Sequence, residues 1–484
     1  MARSDVTFEL KASPDQPIFL AVAASIVGEI ERGRLRPGDR VPGTRAVARM
    51  LGLHRNTVDA AFHELTMQGW LVAEPSRGTF VAHDLPDVAP FADAPIGRRV
   101  GGLPLPTHLL AVDGLMVGDG TPDPRIMPHA EFARAFRRAL SLTALLTGST
   151  YGDPRGTPAL REALAGYLAA ERGLITSADN LLITRGSQMG LYLAAATLRP
   201  GETIAVEQPG YPLAWAAFRA AGMTVVGVAI DGGGIDPDAL DALAASDPTL
   251  RAVYVTPHHQ YPTTVTMGAG RRLRLLEIAR RRGLTIIEDD YDHEYRFDGR
   301  PVLPLAARAG MDQPIIYVGS LSKLLAPAVR LGYAVASRDI IARMATRREA
   351  IDRQGDVPLE QALASLIADG DLRRHARKAR RIYAGRRDVL AREIRSRLGS
   401  LISFDLPAGG LALWLRVAED VDARDWSGAA AGAGLTITDG SRFALDLAAP
   451  PNAFRFGFAN LNDGELTRAI SLLAASAPPR VGAA

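Results

Sequence analysis

The sequence has no cysteine among its 484 residues, which excludes disulfide bridges and thiolate metal sites. It also lacks any apolar run of the ~18 residues that a membrane span requires. Residues 1–17 are mixed in charge and contain no apolar segment, unlike a secretory signal. We therefore expect a cytoplasmic protein with no membrane partner and no metal.

Lysine is nearly absent as well. Lys11, Lys323 and Lys378 are the only three, so arginine supplies 53 of the 56 basic residues. Because arginine cannot form a Schiff base, a lysine kept inside an apolar stretch, as Lys323 is, suggests that a primary amine is needed there. Composition alone leaves chance retention open as the alternative.

The length of the chain indicates more than one folding unit. Residues 14–82 have the pattern of a small helical domain with a hairpin. Residues 83–112 are rich in proline and glycine and have no sustained period, which is typical of a linker. Residues 113–476 alternate helical patterns with short apolar strands, which predicts an α/β domain with a mostly parallel sheet covered by helices.

The first domain has the pattern of three helices followed by two strands. The predicted bounds are Ile18–Ile30, Arg45–Leu51 and Arg55–Gln68 for the helices, and Leu71–Ala73 and Thr79–Val81 for the strands. Thr44 is the predicted cap of the second helix. This order is that of a helix-turn-helix with a wing, an arrangement that binds DNA. The alternative is a solvated helical bundle that binds no nucleic acid.

The third predicted helix begins with side chains that can donate to phosphates and base edges. The candidate DNA contacts are Arg45, His54, Arg55, Asn56, Thr57 and, in the wing, Arg77.

This region resembles the GntR superfamily of winged-helix regulators. The resemblance rests on Leu35-x-Pro-Gly-x-x-Val-Pro-x-x-Arg45, Arg55-Asn-Thr-Val-x-x-Ala-Phe62 and Arg77-Gly-Thr-Phe-Val81. It implies that Arg45, Arg55, Asn56 and Thr57 face double-stranded operator DNA, with Arg77 at the wing. Two positions depart from the family pattern, because His54 stands where a Ser or Thr cap is usual and Asp59 where some relatives carry a basic contact.

In the second domain, polar residues follow the predicted strands. The strands are Leu181–Thr184, Thr203–Val206, Val225–Val228, Ala252–Thr256, Thr285–Glu288 and Ile315–Val318. The residues that follow them are Ser187 and Gln188 after the first strand, Asp289 and Tyr291 after the fifth, and Ser320, Ser322, Lys323 and Arg330 after the sixth. Ligands of open α/β sheets bind at the carboxyl ends of strands.

These residues supply an amine, a carboxylate and several anion-binding donors. Pyridoxal phosphate needs an amine for its carbonyl, a carboxylate for its pyridine nitrogen, and N–H and O–H donors with an arginine for its phosphate. The Gly186-Ser187-Gln188 stretch opens a helix, where free backbone N–H groups and the helix dipole favour phosphate. The order and spacing of the set therefore predict a pyridoxal 5'-phosphate site.

The second domain is similar to the fold-type-I aminotransferases, and the whole chain looks like the MocR-type branch of the GntR regulators. The resemblance rests on Tyr151-Gly-Asp-Pro-Arg-Gly156, Gln208-Pro-Gly-Tyr211-Pro and Ile287-Glu-Asp-Asp-Tyr-Asp292. It implies a large pyridoxal-phosphate-dependent transferase domain, a smaller α+β subdomain and a homodimer.

The resemblance also implies a role for each residue. Lys323 would form the internal aldimine, Asp289 would pair with the pyridine nitrogen, and Tyr291 would bind the phenolic oxygen. Ser187, Gln188, Ser320, Ser322 and Arg330 would hold the phosphate, Tyr211 would lie near the ring, and Tyr151 would reach the phosphate of the neighbouring subunit. Arg455 would bind a carboxylate of the effector; a structural salt bridge is its alternative.

The leading hypothesis is a transcriptional regulator that senses pyridoxal phosphate, or an amine or amino-acid effector, through Lys323. The alternative is an active aminotransferase with an accessory DNA-binding domain. Aminotransferases commonly have Asn-Pro-x-Gly where this chain has Tyr261-Pro262-Thr263-Thr264. This departure weakens the case for turnover more than the case for cofactor binding; His259 or Gln260 is a candidate to replace the missing Asn.

Overall fold

The computed structural model describes residues 8, 10, 17–85, 114–141, 151–298, 302–309 and 314–478. Lys11, residues 14–16 of the predicted DNA-binding domain and residues 86–112 of the predicted linker lie outside these ranges. The chain divides into two compact units, Met1–Leu109 and Leu110–Ala484. The division falls inside the stretch predicted as a linker.

The first unit contains three helices and a two-stranded sheet. Its elements are α1 (Ile18–Glu31), α2 (Thr44–Leu51), α3 (Arg55–Met67), β1 (Leu71–Glu74) and β2 (Gly78–Val81). The strands are antiparallel. Apolar residues at helical spacing meet in one core, which includes Val22, Ile26, Val58, Phe62 and Leu65. The helix-turn-helix and wing are therefore present as predicted.

The start of α2 differs from the prediction. Gly43 is the N-cap residue, and Thr44 is the first residue inside the helix, with no side-chain capping hydrogen bond. Thr44 is therefore not the cap. Gly52 ends α2 in a left-handed conformation, with φ of 65°, which glycine adopts without steric cost.

The second unit is built on an eight-stranded sheet. Its strands are β4 (Leu181–Thr184), β5 (Thr203–Gln208), β6 (Thr224–Asp231), β7 (Gly234–Ile235), β8 (Leu250–Val255), β9 (Thr285–Asp290), β10 (Ile315–Ser320) and β11 (Gly332–Val335), in the spatial order β4-β11-β10-β9-β8-β5-β6-β7. Strands β10, β9, β8, β5 and β6 pair in parallel. The predicted parallel core of the sheet is confirmed, although several strands extend one to three residues beyond their predicted ends.

Two strands of this sheet, β7 and β11, were not predicted. β11 runs antiparallel between β4 and β10. Because of this direction, its first residue lies at the same edge as the last residues of its neighbours, and Gly332 pairs with both Thr184 and Ser320. The loop that precedes β11 is thereby brought to the carboxyl edge of the parallel strands.

Helices cover the sheet and connect it to a smaller second sheet. They are α4 (His129–Ala139), α5 (Pro158–Arg172), α6 (Gly186–Ala195), α7 (Pro212–Ala220), α8 (Pro237–Ser246), α9 (Ala269–Arg282), α10 (Arg338–Asp352), α11 (Val357–Ala368), α12 (Asp371–Leu398), α13 (Ala423–Gly432) and α14 (Asp463–Ala475). In the described part of the chain, none of the helices has the length and apolar character to cross a membrane.

The smaller sheet belongs to the predicted α+β subdomain. It contains β12 (Ile402–Ser403), β13 (Ala412–Val417), β15 (Thr438–Asp439) and β16 (Ala453–Gly457), in the order β12-β13-β16-β15. A separate parallel pair joins β3 (Leu115–Met116) to β14 (Leu435–Thr436). This pair ties the segment that leads into the second unit to the subdomain, so that residues 117–120 pass close to β16.

Candidate cofactor site and DNA-binding surface

A helix N-terminus and an arginine meet at the edge of the large sheet. A Cβ atom added to Gly332 would lie 2.6 Å from the carbonyl carbon of Gly186 and 2.7 Å from the amide nitrogen of Ser187. Only glycine therefore allows the first turn of α6 to approach the sheet this closely. Arg330 takes a left-handed backbone conformation, with φ of 50°, and donates from Nη2 to the carbonyl of Arg185 at 3.2 Å. A helix N-terminus beside a guanidinium is an arrangement that favours anions, and we call it the anion cradle.

The remaining predicted phosphate residues surround this cradle. Ser320 is the last residue of β10 and pairs with Gly332. The Ser322 hydroxyl accepts a hydrogen bond from the backbone N–H of Leu331 at 3.2 Å. The Gln188 amide donates to the carbonyl of Leu213 at 2.6 Å. Ser187 lines the adjoining cavity, whereas these three residues do not.

Lys323 and Asp289 face this cavity. The Lys323 ammonium donates to the carbonyl of Gly120 at 2.9 Å. Asp289 lies within β9, rather than after it, and is 3% exposed. Its Oδ2 accepts a hydrogen bond from the Tyr254 hydroxyl at 2.9 Å, and its Oδ1 is buried without a partner among the described residues. Burial raises the pKa of Asp289 to about 7.

A buried carboxylate oxygen without a donor costs free energy unless a ligand supplies that donor. The unpartnered oxygen of Asp289 therefore fits the N–H of a protonated pyridine ring. Together with the Lys323 amine and the anion cradle beside Ser187, it satisfies the three requirements of pyridoxal phosphate. The residues present fit this cofactor.

Aromatic side chains form much of the cavity wall. The cavity is lined by Asp119, Ser187, Tyr211, Tyr254, Tyr261, Asp289, Tyr291 and Lys323. The rings of Tyr211 and Tyr261 pack edge to face at 4.9 Å, and those of Tyr261 and Tyr291 at 6.0 Å. The Tyr291 hydroxyl donates to the carbonyl of His259 at 2.9 Å. Tyr211 and Tyr291 thus lie in the predicted site.

The residues around Pro262 show which side chain stands where aminotransferases commonly have an Asn. Gln260 is turned away and donates to the carbonyls of Pro209 and Tyr261. His259 pairs with Asp292, at 2.7 Å between Nδ1 and Oδ1. Neither of the two residues lines the cavity, whereas Tyr261 does. The position of the Asn is therefore filled by the tyrosine itself.

Arg455 and Tyr151 lie outside the lining of the cavity. Arg455 is 1% exposed, donates from Nε to the carbonyl of Asp119 at 2.9 Å, and donates from Nη1 to the carbonyl of Pro262. Its guanidinium lies 4.2 Å from the centre of the Tyr261 ring. Tyr151 is 73% exposed, with the Arg353 guanidinium 4.2 Å from its ring centre. Their predicted contacts with an effector carboxylate and with a neighbouring subunit stay predictions.

Three cavity residues were absent from the predicted site, Asp119, Tyr254 and Tyr261, although Tyr261 was noted as the departure from the Asn-Pro-x-Gly pattern. Tyr254 sits in the apolar strand β8, where alternation gives no sign that it faces a ligand. Asp119 lies between Gly118 and Gly120, next to a strand of only two residues. Flanking glycines are typical of a turn, but the place of Asp119 in the cavity wall depends on a contact between distant segments, the hydrogen bond from Lys323 to the neighbouring Gly120 carbonyl.

In the first unit, the predicted DNA contacts lie on α2, at the start of α3 and in the wing. His54 is the N-cap residue of α3, and its Nδ1 accepts the backbone N–H of Asn56 at 3.3 Å. The histidine thus performs the capping that the family pattern assigns to Ser or Thr. Arg45, His54, Arg55, Asn56 and Arg77 are exposed, and Thr57 is half-buried.

Two of these arginines pair with nearby acids. Arg55 Nε lies 3.3 Å from Asp59 Oδ2, one turn along α3, and both side chains are about half exposed. In the wing, Arg77 Nη1 lies 2.5 Å from Glu74 Oε2. Exposed pairs of this kind are weak, so both guanidinium groups are available to phosphates.

Side chains of the types that can bind a metal ion occur in both units. His129, His258 and the other His, Asp and Glu side chains of the described ranges form no group that could hold a metal ion.

Comparisons with known proteins agree with this arrangement. The family model of bacterial regulatory proteins of the gntR family matches residues 19–81, and the model of aminotransferase class I and II matches residues 122–473. The chain is 31% identical over 453 residues to the probable rhizopine catabolism regulatory protein MocR of Rhizobium meliloti, with 90% of this chain and 88% of that protein covered. The chain belongs to the MocR-type GntR regulators.

Further relatives of this MocR-type regulator fall into two groups. It is 30% identical to the transcriptional regulator TauR of Rhodobacter capsulatus, with 91% of this chain and 93% of that protein covered. The crystal structure of an archaeal alanine:glyoxylate aminotransferase superposes with a TM-score of 0.70 at 27% identity, covering 75% of this chain and 91% of that chain. The Pyrococcus horikoshii kynurenine aminotransferase gives a TM-score of 0.70, 27% identity and coverages of 76% and 91%.

These likenesses establish the general function. The chain is a DNA-binding transcriptional regulator with an aminotransferase-like domain of fold type I, and that domain has pyridoxal phosphate as its cofactor.

Proposed function

We propose that this regulator holds pyridoxal phosphate covalently through Lys323. We further propose that an amine or amino-acid effector competing for the same carbon alters its affinity for operator DNA in the cytoplasm. The observation that carries the proposal is one cavity that combines the Lys323 amine with the unpartnered Oδ1 of Asp289. The winged helix of the same chain gives that chemistry a DNA-binding output. Pyridoxal phosphate, when bound, supplies an aldehyde that condenses with primary amines.

Asp289 would hold the proton of the pyridine nitrogen. Tyr254 already occupies one carboxylate oxygen, so the other is left to accept the ring N–H. An ionised carboxylate favours a protonated partner, and burial strengthens their attraction. Asp289 would thereby fix both the position of the ring and its protonation state.

The cradle around α6 would anchor the phosphate. The N–H groups of its first turn, at Gly186 and Ser187, supply the positive end of a helix dipole. The guanidinium of Arg330 adds a full positive charge beside them. Ser320 and Ser322 would add hydroxyl donors at the same sheet edge. These groups would thereby hold the cofactor beside Lys323 when an amine enters the cavity.

Tyr261 is the reason to favour sensing over turnover. Where aminotransferases commonly place an Asn, this cavity has a phenol whose hydroxyl donates to Asp119 at 2.8 Å. A donor committed to that carboxylate does not serve the ring oxygen of the cofactor. The cavity therefore supports binding, and exchange of amines, better than repeated transamination.

Tyr151 supports a homodimer in the proposal. An aromatic side chain that is 73% exposed and absent from the cavity of its own chain is suited to a second subunit. Closed pairs of identical subunits usually have two-fold symmetry. A dimer would carry two winged helices and would favour an operator with two half-sites.

Borohydride reduction tests the attachment. Reduction of the yellow protein should fix the cofactor to Lys323, and peptide mapping should locate it there. Lys323→Ala should abolish the visible absorbance, whereas Lys378→Ala, which removes an exposed lysine on α12, should leave it unchanged. A cofactor that remains covalently bound in the Lys323→Ala protein would refute the assignment.

A further inference from the structure

The cavity wall contains a carboxylate that the proposed cofactor does not use. Asp119 lines the cavity together with Lys323 and Asp289, whereas Arg455 does not. A ligand in this cavity therefore meets an acidic side chain, although the predicted role of Arg455 requires it to meet a guanidinium.

The hydrogen bonds of Asp119 leave room for a ligand. Its Oδ2 accepts the Tyr261 hydroxyl at 2.8 Å. In the part of the chain that the structure describes, no cation lies within 4.0 Å of its carboxylate, and no residue donates to its Oδ1. Although burial alone raises the pKa of Asp119, Lys323 and Arg455 at longer range hold that pKa below its usual value. The group is an ionised acceptor with one oxygen open.

The position of Asp119 fixes where a second group of the ligand would lie. The Lys323 nitrogen, which marks the reacting position, is 2.9 Å from the carbonyl of Gly120, the next residue along the chain. Consecutive Cα atoms are ~3.8 Å apart. Since Asp119 and Lys323 line the same cavity, a short ligand that reacts at Lys323 can present a second donor to the carboxylate.

The surroundings of Arg455 favour the same interpretation. Two of its nitrogens are engaged by the carbonyls of Asp119 and Pro262, and its face is covered by the Tyr261 ring. An incoming carboxylate would have to displace these contacts and approach the like charge of Asp119. A cation or a hydroxyl gains a hydrogen bond without either cost.

We infer that Asp119 binds a second donor, an ammonium or a hydroxyl group, on the amine that enters the Lys323 cavity. The effector class is then short diamines and amino alcohols rather than simple monoamines. This inference rests on the proposed function and narrows it.

The test compares three amines of equal chain length on the full-length, cofactor-loaded protein. Propylamine, propanolamine and trimethylenediamine are titrated while the visible absorbance of the cofactor is followed. The diamine should bind about tenfold more tightly than propylamine, as expected for a charge-assisted hydrogen bond, with the amino alcohol between them. Asp119→Asn should reduce the advantage of the diamine to about threefold or less. The control Glu419→Gln, which neutralises an exposed carboxylate, should leave all three affinities unchanged.

The outcomes separate this inference from the proposal beneath it. Equal affinities for propylamine and the diamine in the unmodified protein would overturn the assignment of Asp119 alone, without need of any variant. The same holds if Asp119→Asn keeps the cofactor absorbance and the full preference. Absorbance that no amine changes would overturn amine sensing itself, and the role of Asp119 with it.

Discussion

Two adjacent carboxylates at the end of β9 show how strongly surroundings decide the behaviour of a residue. Burial raises the pKa of Asp289 to about 7. Burial acts on Asp290 in the same direction, but the buried guanidinium of Arg172 pairs with it and lowers its pKa well below the ordinary value. Side chains of neighbouring strand residues point to opposite faces, so Asp289 faces the cavity and Asp290 anchors a helix. The resemblance selected Asp289 for the pyridine nitrogen, and no role was predicted for Asp290.

Asp289→Asn should stabilise the cofactor-free protein while weakening cofactor binding. An acid whose pKa is raised on folding binds its proton more tightly when folded, so it costs stability as pH rises from ~4 to ~7. The variant lacks that cost. The unfolding free energy of Asp289→Asn should therefore exceed that of the unmodified protein by more at pH 8 than at pH 5. The difference between the two proteins should increase by about 2 kcal/mol over this range, since one pKa unit corresponds to ~1.4 kcal/mol.

Urea unfolding of the two cofactor-free proteins at both pH values measures this difference. Asp290→Asn is the matched control, and it should destabilise the protein by ~3–5 kcal/mol at pH 8 because it leaves Arg172 buried and unpaired. If the difference in unfolding free energy between Asp289→Asn and the unmodified protein were the same at both pH values, the raised pKa of Asp289 would be contradicted.

Single elements were predicted with uneven success, for identifiable reasons. Helices α1 and α3 were found within one residue because their apolar spacing is regular and a glycine or capping residue bounds them. β11 was missed because it has only four residues, all of them buried, and therefore shows no alternation of apolar and polar positions. Its direction could have been deduced, since β10 and β11 are too close in sequence for the helical crossover that a parallel pair requires.

Site residues that come from one short stretch of sequence were predicted. Site residues that distant stretches bring together in the fold were missed. Ser320, Ser322 and Lys323 lie at or just after the end of one strand, β10, so their proximity could be predicted from the sequence. Asp119 lines the same cavity as Lys323, at a place where the parallel pair β3–β14 holds its segment against the subdomain and Lys323 donates to the neighbouring Gly120 carbonyl. Contacts between such distant segments leave no local pattern in the sequence.

Substitutions at the start of α3 should change the affinity for operator DNA. Arg55→Ala should weaken binding to the operator by ~1–3 kcal/mol if the side chain contacts a base, and should lower the salt slope by about one if it contacts a phosphate. Asp59→Asn should strengthen binding, because it releases Arg55 from its partner and removes a negative charge from the same turn.

Fluorescence anisotropy over a range of salt concentrations distinguishes these cases. Glu64→Gln is the control, since it removes one negative charge nearer the end of α3, where Gln68 is its partner. Binding that none of the three substitutions alters would mean that α3 is not the DNA-contacting helix.

At the scale of the whole molecule, the proposed dimer can be tested by mixing two defective chains. Lys323→Ala lacks the reacting amine, and Tyr151→Phe should lower cofactor affinity about fivefold by loss of one hydrogen bond of ~1 kcal/mol. If Tyr151 serves the neighbouring subunit, a hybrid dimer contains one site with both native residues. Mixing, unfolding and refolding together should then restore a fraction of sites with native affinity.

Absorbance titration with the cofactor provides the readout, and each variant refolded alone is the control. Sedimentation should show a dimer throughout. A monomer with full cofactor occupancy, or a mixture without any native-affinity sites, would contradict the shared-site arrangement.

The central claim joins the two units: chemistry at Lys323 changes DNA binding without sustained turnover. A ligand shifts such an equilibrium only by its differential affinity for the two states, and couplings of ~1–3 kcal/mol are typical. The most direct measurement follows operator binding and ketoacid formation in parallel over a panel of amines and amino acids. We expect ligands that displace Lys323 to change DNA affinity about fivefold or more, with no sustained ketoacid production. Rapid ketoacid production with unchanged DNA affinity would contradict the account and identify the protein as an aminotransferase.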